Sequence, residues 1–280
     1  AFASRISRRS FASGGAISVQ PASELVLRDC ALVHCIAWEY GGAIDVEGGA
    51  LTVENCFIGF NALSPESNGG GGAGIAIYSD FDARIVNSTF YGNIQANEAG
   101  VGGGALLFQT QTPSSLQKTC FISHCTFAGN IDAKGFASAV LAMENDAVVR
   151  PANSIFADFS GRNLNVYGGG NFHSLGGNLC DDSSKVVRTP GDGMSPYLLD
   201  NVHDLTEVDP LLAPLTTDGA TTPHLPLLPG SPAIGAAFDI VASLDQRGAL
   251  RDIAPDAGAV EAQAKRKLVI NEIQCADDTL

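Results

Sequence analysis

Two aspartates and an arginine at alternate positions come nearest to a catalytic set. Asp80, Asp82 and Arg84 would face the same side of an extended strand. Paired carboxylates beside an arginine suit acid–base cleavage of a polysaccharide, or a lyase reaction in which arginine is the base. A structural alternative stands beside this one. An offset of 32 residues aligns Asp80 and Asp82 with Gly48 and Ala50, which favours a solvated turn with a local ion pair.

A second acidic pair, Asp181 and Asp182, follows the loop sequence at 176–178 and is the candidate calcium site. Two adjacent acids lack the alternating ligands of a calcium loop, so no cofactor is expected and calcium is the only one the pattern allows. The five histidines have no spacing typical of zinc. The chain also contains no nucleophile triad, phosphate loop or dinucleotide motif.

The seven cysteines are odd in number, so they cannot all pair within one chain. Cys30 and Cys56 would lie about 4.8 Å apart if they occupied adjacent parallel strands, which is within the roughly 4.4 to 6.8 Å that a disulfide needs. Side chains pointing in parallel seldom reach the disulfide dihedral, so we expect a buried row of free thiols. The redox compartment stays undecided.

Composition limits the fold and the partners. A net charge of −14 repels phosphate backbones and anionic lipid headgroups, which argues against nucleic acid as a partner. Only 16% of residues are charged, whereas 32 are glycine and 13 are proline, which excludes a helical bundle or coiled coil. The sequence has no apolar run of about 18 or more residues, so no segment is expected to span a bilayer as a helix.

A short motif recurs along the chain and indicates a repeat architecture. GGA followed by Ile or Leu occurs at 14–17, 41–44 and 103–106, with a degenerate copy at 73–75. After each copy comes a second apolar stretch that alternates with a period of two, which is typical of strands. In the first stretches Ile44 and Val46 would point inward, and Asp45 and Glu47 would point outward.

The second stretches align into columns of like residues. A polar column is followed one position later by small residues and three positions later by large apolar ones, across unequal intervals of 26, 32, 37 and 29 residues. Such columns predict stacked windings, each adding one strand to each sheet of a right-handed parallel β-helix, an all-β fold. We expect amides in such columns to hydrogen-bond along a structural ladder. The ladder candidates are Asp29, Asn55, Asn87, His124 and Asn153, with Asn61, Asn93 and Asn130 in the same class. The large apolar column is Leu32, Ile58, Phe90, Phe127 and Phe156.

The repeat fades in the C-terminal third. Nine of the 13 prolines fall between Pro190 and Pro255, and proline removes the donors that a central strand needs. We therefore predict β-helix repeats over 1–187, an irregular Pro-rich terminal turn and cap over 188–262 that covers the end of the solenoid, and a linker with the start of a truncated further module over 263–280. We expect charge-assisted hydrogen bonds to tie the cap together. The residues in question are Asp245, Arg247, Arg251 and Asp256.

These motifs resemble two families of bacterial β-helix proteins. The GGA-Ile/Leu motifs, with FYGN at 90–93 and FAGN at 127–130, resemble the GGA[ILV] and FxxN repeats of polymorphic outer-membrane proteins. The C-terminal part is similar to choice-of-anchor Q domains, through DPLL at 209–212, LLPGSPAI at 227–234, DQRG at 245–248 and DAGAVE at 256–261. The resemblance implies a right-handed parallel β-helix displayed at the cell surface, often for adhesion, without a defined reaction.

Two functions of different classes follow. The first is a noncatalytic cell-surface or secreted module, an adhesin or structural stalk whose partner is a glycan or a surface protein. The alternative is a lyase or glycoside hydrolase acting on an acidic polysaccharide, which rests on fold analogy. An enzyme would bring at least two carboxylates together on one outward sheet face, within about 10 Å of each other and beside a basic residue. A calcium-dependent solenoid is a third hypothesis.

Overall fold

The computed structural model describes residues 13–67, 69–111, 117–144, 147–158, 161–185, 197–239 and 242–262. The predicted module start in 263–280 lies outside the described residues, as does Cys275. Twenty-three strands and no helix are found in the described ranges. In chain order the strands are β1 (Ile17–Val19), β2 (Glu24–Arg28), β3 (Ala31–Val33), β4 (Ile36–Ala37), β5 (Ile44–Glu47), β6 (Ala50–Glu54), β7 (Phe57–Gly59), β8 (Ala62–Leu63), β9 (Ile75–Tyr78), β10 (Ala83–Val86), β11 (Thr89–Tyr91), β12 (Ile94–Gln95), β13 (Leu106–Gln109), β14 (Lys118–Ser123), β15 (Thr126–Ala128), β16 (Ile131–Asp132), β17 (Val140–Met143), β18 (Ala147–Ala152), β19 (Ile155–Ala157), β20 (Leu164–Tyr167), β21 (Asn171–Phe172), β22 (Leu179–Cys180) and β23 (Leu205–Thr206).

The strands form four parallel sheets, and each complete winding adds one strand to each of them. Sheet 1 contains β1, β5, β9, β13, β17 and β20, and sheet 2 contains β2, β6, β10, β14, β18 and β21. Sheet 3 runs from β3 through β7, β11, β15, β19 and β22 to β23, and sheet 4 contains β4, β8, β12 and β16. The predicted all-β parallel β-helix solenoid is confirmed.

Like residues stack in the core, as the columns predict. Ile58 is in register with Leu32 on one side and with Phe90 on the other. The Phe90 and Phe127 rings stack with centroids 4.5 Å apart, and Phe127 and Phe156 continue the stack at 5.3 Å. The three phenylalanines are fully buried. The ring separations are close to the spacing of adjacent parallel strands, so each ring packs directly against the ring of the next winding and leaves no gap in the core.

Special backbone conformations at the corners explain two sequence signals. The first glycine of the GGA motif takes a left-handed conformation, with φ of 59° at Gly41. At the second, Gly42, an added Cβ would lie 2.1 Å from the Ala73 carbonyl oxygen of the next winding. The polar column has left-handed φ values of 46° to 55° at the corner between sheets 2 and 3, which short polar side chains tolerate best. Its members are Asp29, Asn55, Asn87, His124 and Asn153.

One outward row of sheet 1 is covered rather than solvated. Leu107 and Leu141 point outward from their strands yet are buried, because Tyr40, Val101 and Phe136 from the connecting loops pack over them. This part of the outer face therefore lies under a second apolar layer, which a simple two-residue alternation does not predict. In the next outward row, by contrast, the exposed residues are Glu47, Tyr78 and Tyr167.

The C-terminal segment is irregular, as predicted, but most of it lies along the side of the solenoid. Residues 207–239 and 242–262, which we call the C-terminal segment, cover the outer face of sheet 3. There Thr89 Oγ1 donates to Gln246 Oε1 at 2.6 Å, and Ala259 N–H donates to Thr126 Oγ1 at 3.0 Å. Leu198 and Leu199 instead join the main core beyond the last windings. Leu198 and Leu199 are therefore the short apolar part that covers the solenoid end. Most of the C-terminal segment instead buries the larger apolar outer face of sheet 3.

The six cysteines within the described ranges are free thiols. Burial raises the pKa of the Cys56 thiol to about 11 and that of Cys125 to about 12, whereas Cys30 is half-buried. Because the thiolate is the reactive form, we expect Cys125 to resist alkylation in native protein and to react after denaturation, which peptide mass spectrometry can measure. Alkylation of native Cys125 as fast as Cys30 would contradict the burial, and protection that persists in denaturant without reductant would reveal a disulfide.

Candidate functional site

An amide ladder runs through the core beside the corner between sheets 3 and 4. Asn61 Nδ2 donates to Asn93 Oδ1 at 3.0 Å, and Asn93 Nδ2 donates to Asn130 Oδ1 at 2.8 Å. All three side chains are fully buried. Each Nδ2 also donates to a backbone carbonyl of the large apolar column, at 2.9 to 3.1 Å. These asparagines satisfy buried backbone groups in every winding they join, so their role is structural.

Asp158 ends this ladder with a carboxyl group where an amide would fit. Asp158 Oδ1 accepts from Asn130 Nδ2 at 3.0 Å, and Asp158 Oδ2 is buried without a hydrogen-bond partner in the described part of the chain. Burial, followed by the nearby charges of Asp181 and Asp182, raises the pKa of Asp158 to about 8. Only the protonated carboxyl group can donate a hydrogen bond as the ladder amides do.

We expect Asp158→Asn to flatten the pH dependence of stability. A carboxyl pKa raised on folding stabilises the protein when it is protonated, and this contribution is lost as the pH rises from the unfolded value, near 4, through about 8. The variant should therefore match the wild type near pH 4 and be more stable by about 5 kcal/mol near pH 9, since a difference of one pKa unit corresponds to about 1.4 kcal/mol, and urea unfolding at each pH measures this. Asp218→Asn, at an exposed position, is the control. A wild type whose stability rises over this interval would refute the assignment.

The polar corner column does not form one continuous ladder. Asn55 Nδ2 donates to Asp29 Oδ1 at 3.2 Å. Further along, the side chains turn to the C-terminal segment instead: Asn87 Nδ2 donates to the Leu244 carbonyl at 2.9 Å, and Asn153 Oδ1 accepts from Phe238 N–H at 2.6 Å. The column therefore docks the C-terminal segment, because that segment lies against this corner.

His124 occupies the same column but its imidazole has a different environment. Its Nδ1 lies 2.9 Å from Ser123 Oγ, and its Nε2 is buried without a hydrogen-bond partner among the described residues. Burial, with a smaller contribution from Arg251, lowers the pKa of His124 to about 3. The ring is neutral at physiological pH and does not continue an amide ladder.

The predicted cap residues form a buried network at the end of the C-terminal segment. Arg247 Nη2 lies 2.6 Å from Asp245 Oδ2, and Arg251 Nη1 lies 3.2 Å from Glu261 Oε2. Arg251 also donates to Asn87 Oδ1 at 3.3 Å, which links the segment to the solenoid. Asp256 Oδ1 accepts from Gly235 N–H at 2.7 Å. Glu261 is a member that the sequence pattern missed.

The calcium candidates are engaged by the protein itself. Asp182 Oδ2 accepts from Asn163 N–H at 2.8 Å and its Oδ1 from Ser184 N–H at 2.6 Å, while Asp181 Oδ1 accepts from Asn163 Nδ2 at 2.5 Å. Burial is the main cause that raises the pKa of Asp181. Within the described ranges, no three His, Cys, Asp or Glu side chains are grouped so that they could hold a metal ion.

The two acidic catalytic candidates accept hydrogen bonds from backbone N–H groups of the next winding. Asp80 Oδ1 accepts from Gln111 N–H at 3.0 Å, and Asp82 Oδ1 accepts from Thr119 N–H at 2.8 Å. Both acids lie in the turn between β9 and β10. Arg84 lies on β10 and is exposed on the outer face of sheet 2.

Arg84 belongs to a row of in-register residues across sheet 2 that we call the sheet 2 row. Its guanidinium carbon lies 5.2 Å from the centroid of the Phe121 ring on the next strand. A groove of about 320 Å³ runs past Arg84 and Phe121, with Glu24, Thr52 and Asp82 also lining it. The row is Val26, Thr52, Arg84, Phe121 and Arg150, continued by His173, whose N–H donates to Val149 O.

A further pair of acidic residues, which the sequence pattern did not indicate as a site, lies on β5 of sheet 1. Asp45 and Glu47 point to the same side of β5. Asp45 is 8% exposed, and burial, with the charge of Glu47 second, raises its pKa to about 6. Tyr40 adjoins them, and its pKa is raised by burial and then by Glu39 and Asp45.

Comparison of the chain with protein-family models, with curated proteins and with solved structures finds no match. Over the described residues there is no helix of the length and apolarity needed to cross a membrane.

Proposed function

We propose that the chain is a noncatalytic β-helix module of a secreted or cell-surface protein, which acts as an adhesin or structural stalk and binds glycan. The main support is that the acidic residues that could have been catalytic are engaged in structural hydrogen bonds. Asp80, Asp82 and Asp182 accept backbone N–H groups of other windings or turns, so these carboxylates stabilise the solenoid. The resemblance of the GGA and FxxN motifs to polymorphic outer-membrane protein repeats, and of the C-terminal part to choice-of-anchor Q domains, supports surface display.

A glycan array combined with assays for released product tests this function. We expect binding to at least one glycan class without turnover after long incubation. Release of oligosaccharides or unsaturated sugars from pectins, alginates or other acidic glycans would refute the noncatalytic function.

The alternative function, a hydrolase or lyase for acidic polysaccharides, is favoured by one observation. Asp45, with its pKa raised to about 6, and the more exposed Glu47 are two residues apart on β5, or about 6.6 Å along the strand. A protonated acid beside an ionised one is the pairing that glycoside hydrolases use. If the chain releases product, Asp45→Asn and Glu47→Gln should each abolish it while the melting temperature is retained. Unchanged turnover in both variants would exclude this pair.

A further inference from the structure

We propose that the sheet 2 row binds an acidic polysaccharide whose chain crosses the windings and whose carboxylates pair with Arg84 and Arg150. This inference rests on the proposed glycan-binding function and specifies the ligand class and the face. The remaining member with a titratable side chain is His173, at the far end of the row.

The spacing of the row suits a polymer of regularly placed charges. Arg84, Phe121 and Arg150 lie on successive strands and are directly in register. Strands in a parallel sheet are about 4.8 Å apart, so the two arginines are about 10 Å apart with an aromatic ring between them. A straight chain of sugars lying along this direction would meet a cation, a ring and a cation in turn.

The aromatic residue orders the cation beside it and offers an apolar surface to sugar. The Arg84 guanidinium lies over the Phe121 ring at 5.2 Å, an arrangement that holds the planar cation in place. Phe121 is half-buried, so part of the ring remains accessible beside the groove of about 320 Å³. Arginine is also the side chain best suited to bind a carboxylate through two parallel hydrogen bonds.

From Arg84 onward the row is accessible, whereas the adjoining outward positions toward sheet 3 are buried. Val86 and Ser123 point to the same side as Arg84 but are buried, because the C-terminal segment covers that margin of the sheet. Arg84 and His173 are exposed, and Arg150 is half-buried. Among the described residues, the ion pairs use other arginines, namely Arg28, Arg247 and Arg251.

Charge density favours a polyuronate over nucleic acid as the occupant. Duplex DNA carries one charge per about 1.7 Å, and a protein with a net charge of −14 repels such a polymer strongly. A polyuronate carries one carboxylate per sugar, so a short row of cations can neutralise the stretch that lies on it. The two acids that line the groove, Glu24 and Asp82, lie to one side of the row.

The experiment compares binding of polygalacturonate to the wild type, to the double variant Arg84→Gln/Arg150→Gln and to Arg28→Gln, by isothermal titration calorimetry. Arg28 is the matched control, since it lies on the same face of sheet 2 but pairs with Glu54 at 2.7 Å. We expect the double variant to bind at least about tenfold more weakly, the control to bind as the wild type does, and affinity to fall with added salt. Because Arg84 is exposed and Arg150 half-buried, we expect the melting temperature of the double variant to stay within a few degrees of the wild type.

Several results would overturn the inference. Wild-type affinity in the double variant would refute the site, and equal binding of carboxyl-reduced polymer would refute the ligand class, while both leave the proposed glycan binding standing. Tighter binding of duplex DNA than of polygalacturonate would refute the choice of polymer. Failure to bind any acidic or neutral glycan would overturn the proposed function as well.

Discussion

Phe127→Ala is expected to lower the free energy of unfolding by about 3–5 kcal/mol. Phe127 lies between the rings of Phe90 and Phe156, with centroids 4.5 and 5.3 Å away. Its neighbours are fixed by backbone hydrogen bonds to both adjacent windings, so the surrounding structure cannot collapse into the space left by the ring. Urea unfolding followed by circular dichroism measures the loss.

Phe81→Ala is the control, since Phe81 is 47% exposed in a turn and its removal should cost well under 1 kcal/mol. A loss at Phe127 as small as the loss at Phe81 would mean that the phenylalanine column is not a filled core.

Arg251→Met is expected to destabilise by about 3–5 kcal/mol and to detach the C-terminal segment. The guanidinium is buried, lies 3.2 Å from Glu261 Oε2 and donates to the Asp256 and Gly258 carbonyls at 2.9 and 2.8 Å. Burial is the main cause that lowers the pKa of Arg251, and the charge of Glu261 opposes it. Methionine fills the volume but leaves the Glu261 carboxylate buried without its cation, and this is the main source of the loss.

Limited proteolysis and thermal unfolding together measure this effect. We expect cleavage within 207–262 of Arg251→Met under conditions in which the wild type is resistant. Adding Glu261→Gln should recover part of the lost stability, because the unpaired charge is removed. Arg28→Met, which breaks an exposed ion pair, should leave both measurements nearly unchanged. Resistance of Arg251→Met to both treatments would show that the network does not hold the segment.

The stacked windings were predictable because their physical cause repeats. Small residues over small and phenylalanine over phenylalanine require equal heights in successive windings, and the structure pairs Phe90 with Phe127 as the offset of 37 residues requires. The same offsets of 37 and 29 carry Arg84 onto Phe121 and Phe121 onto Arg150. The sheet 2 row was therefore encoded in the sequence, and following outward positions as closely as inward ones would have found it.

Features without a repeat were not predictable in this way. The path of the C-terminal segment along sheet 3 depends on single contacts, such as that between Gln246 and Thr89, and no repeated column predicts them. Asp45 is buried because loops of unequal length fold over sheet 1. The alternation of residues along β5 alone predicts that Asp45 is exposed, since it cannot show where those loops lie. His173 follows a winding offset of 23 residues, shorter than the earlier ones, so extrapolation from the aligned columns stops before it.

Distances between spin labels on the sheet 2 row test the stacking of windings most directly. Labels would be placed on Val26 and, in turn, on Phe121, Arg150 or His173, in a variant without reactive cysteines. Counting strands gives backbone separations of about 14, 19 and 24 Å, a rise of roughly 4.8 Å per winding whatever the length of chain between the labels. Pulsed electron resonance should show this even increase. Distances that fail to grow in step with the number of windings would contradict the parallel, in-register solenoid and the binding face derived from it.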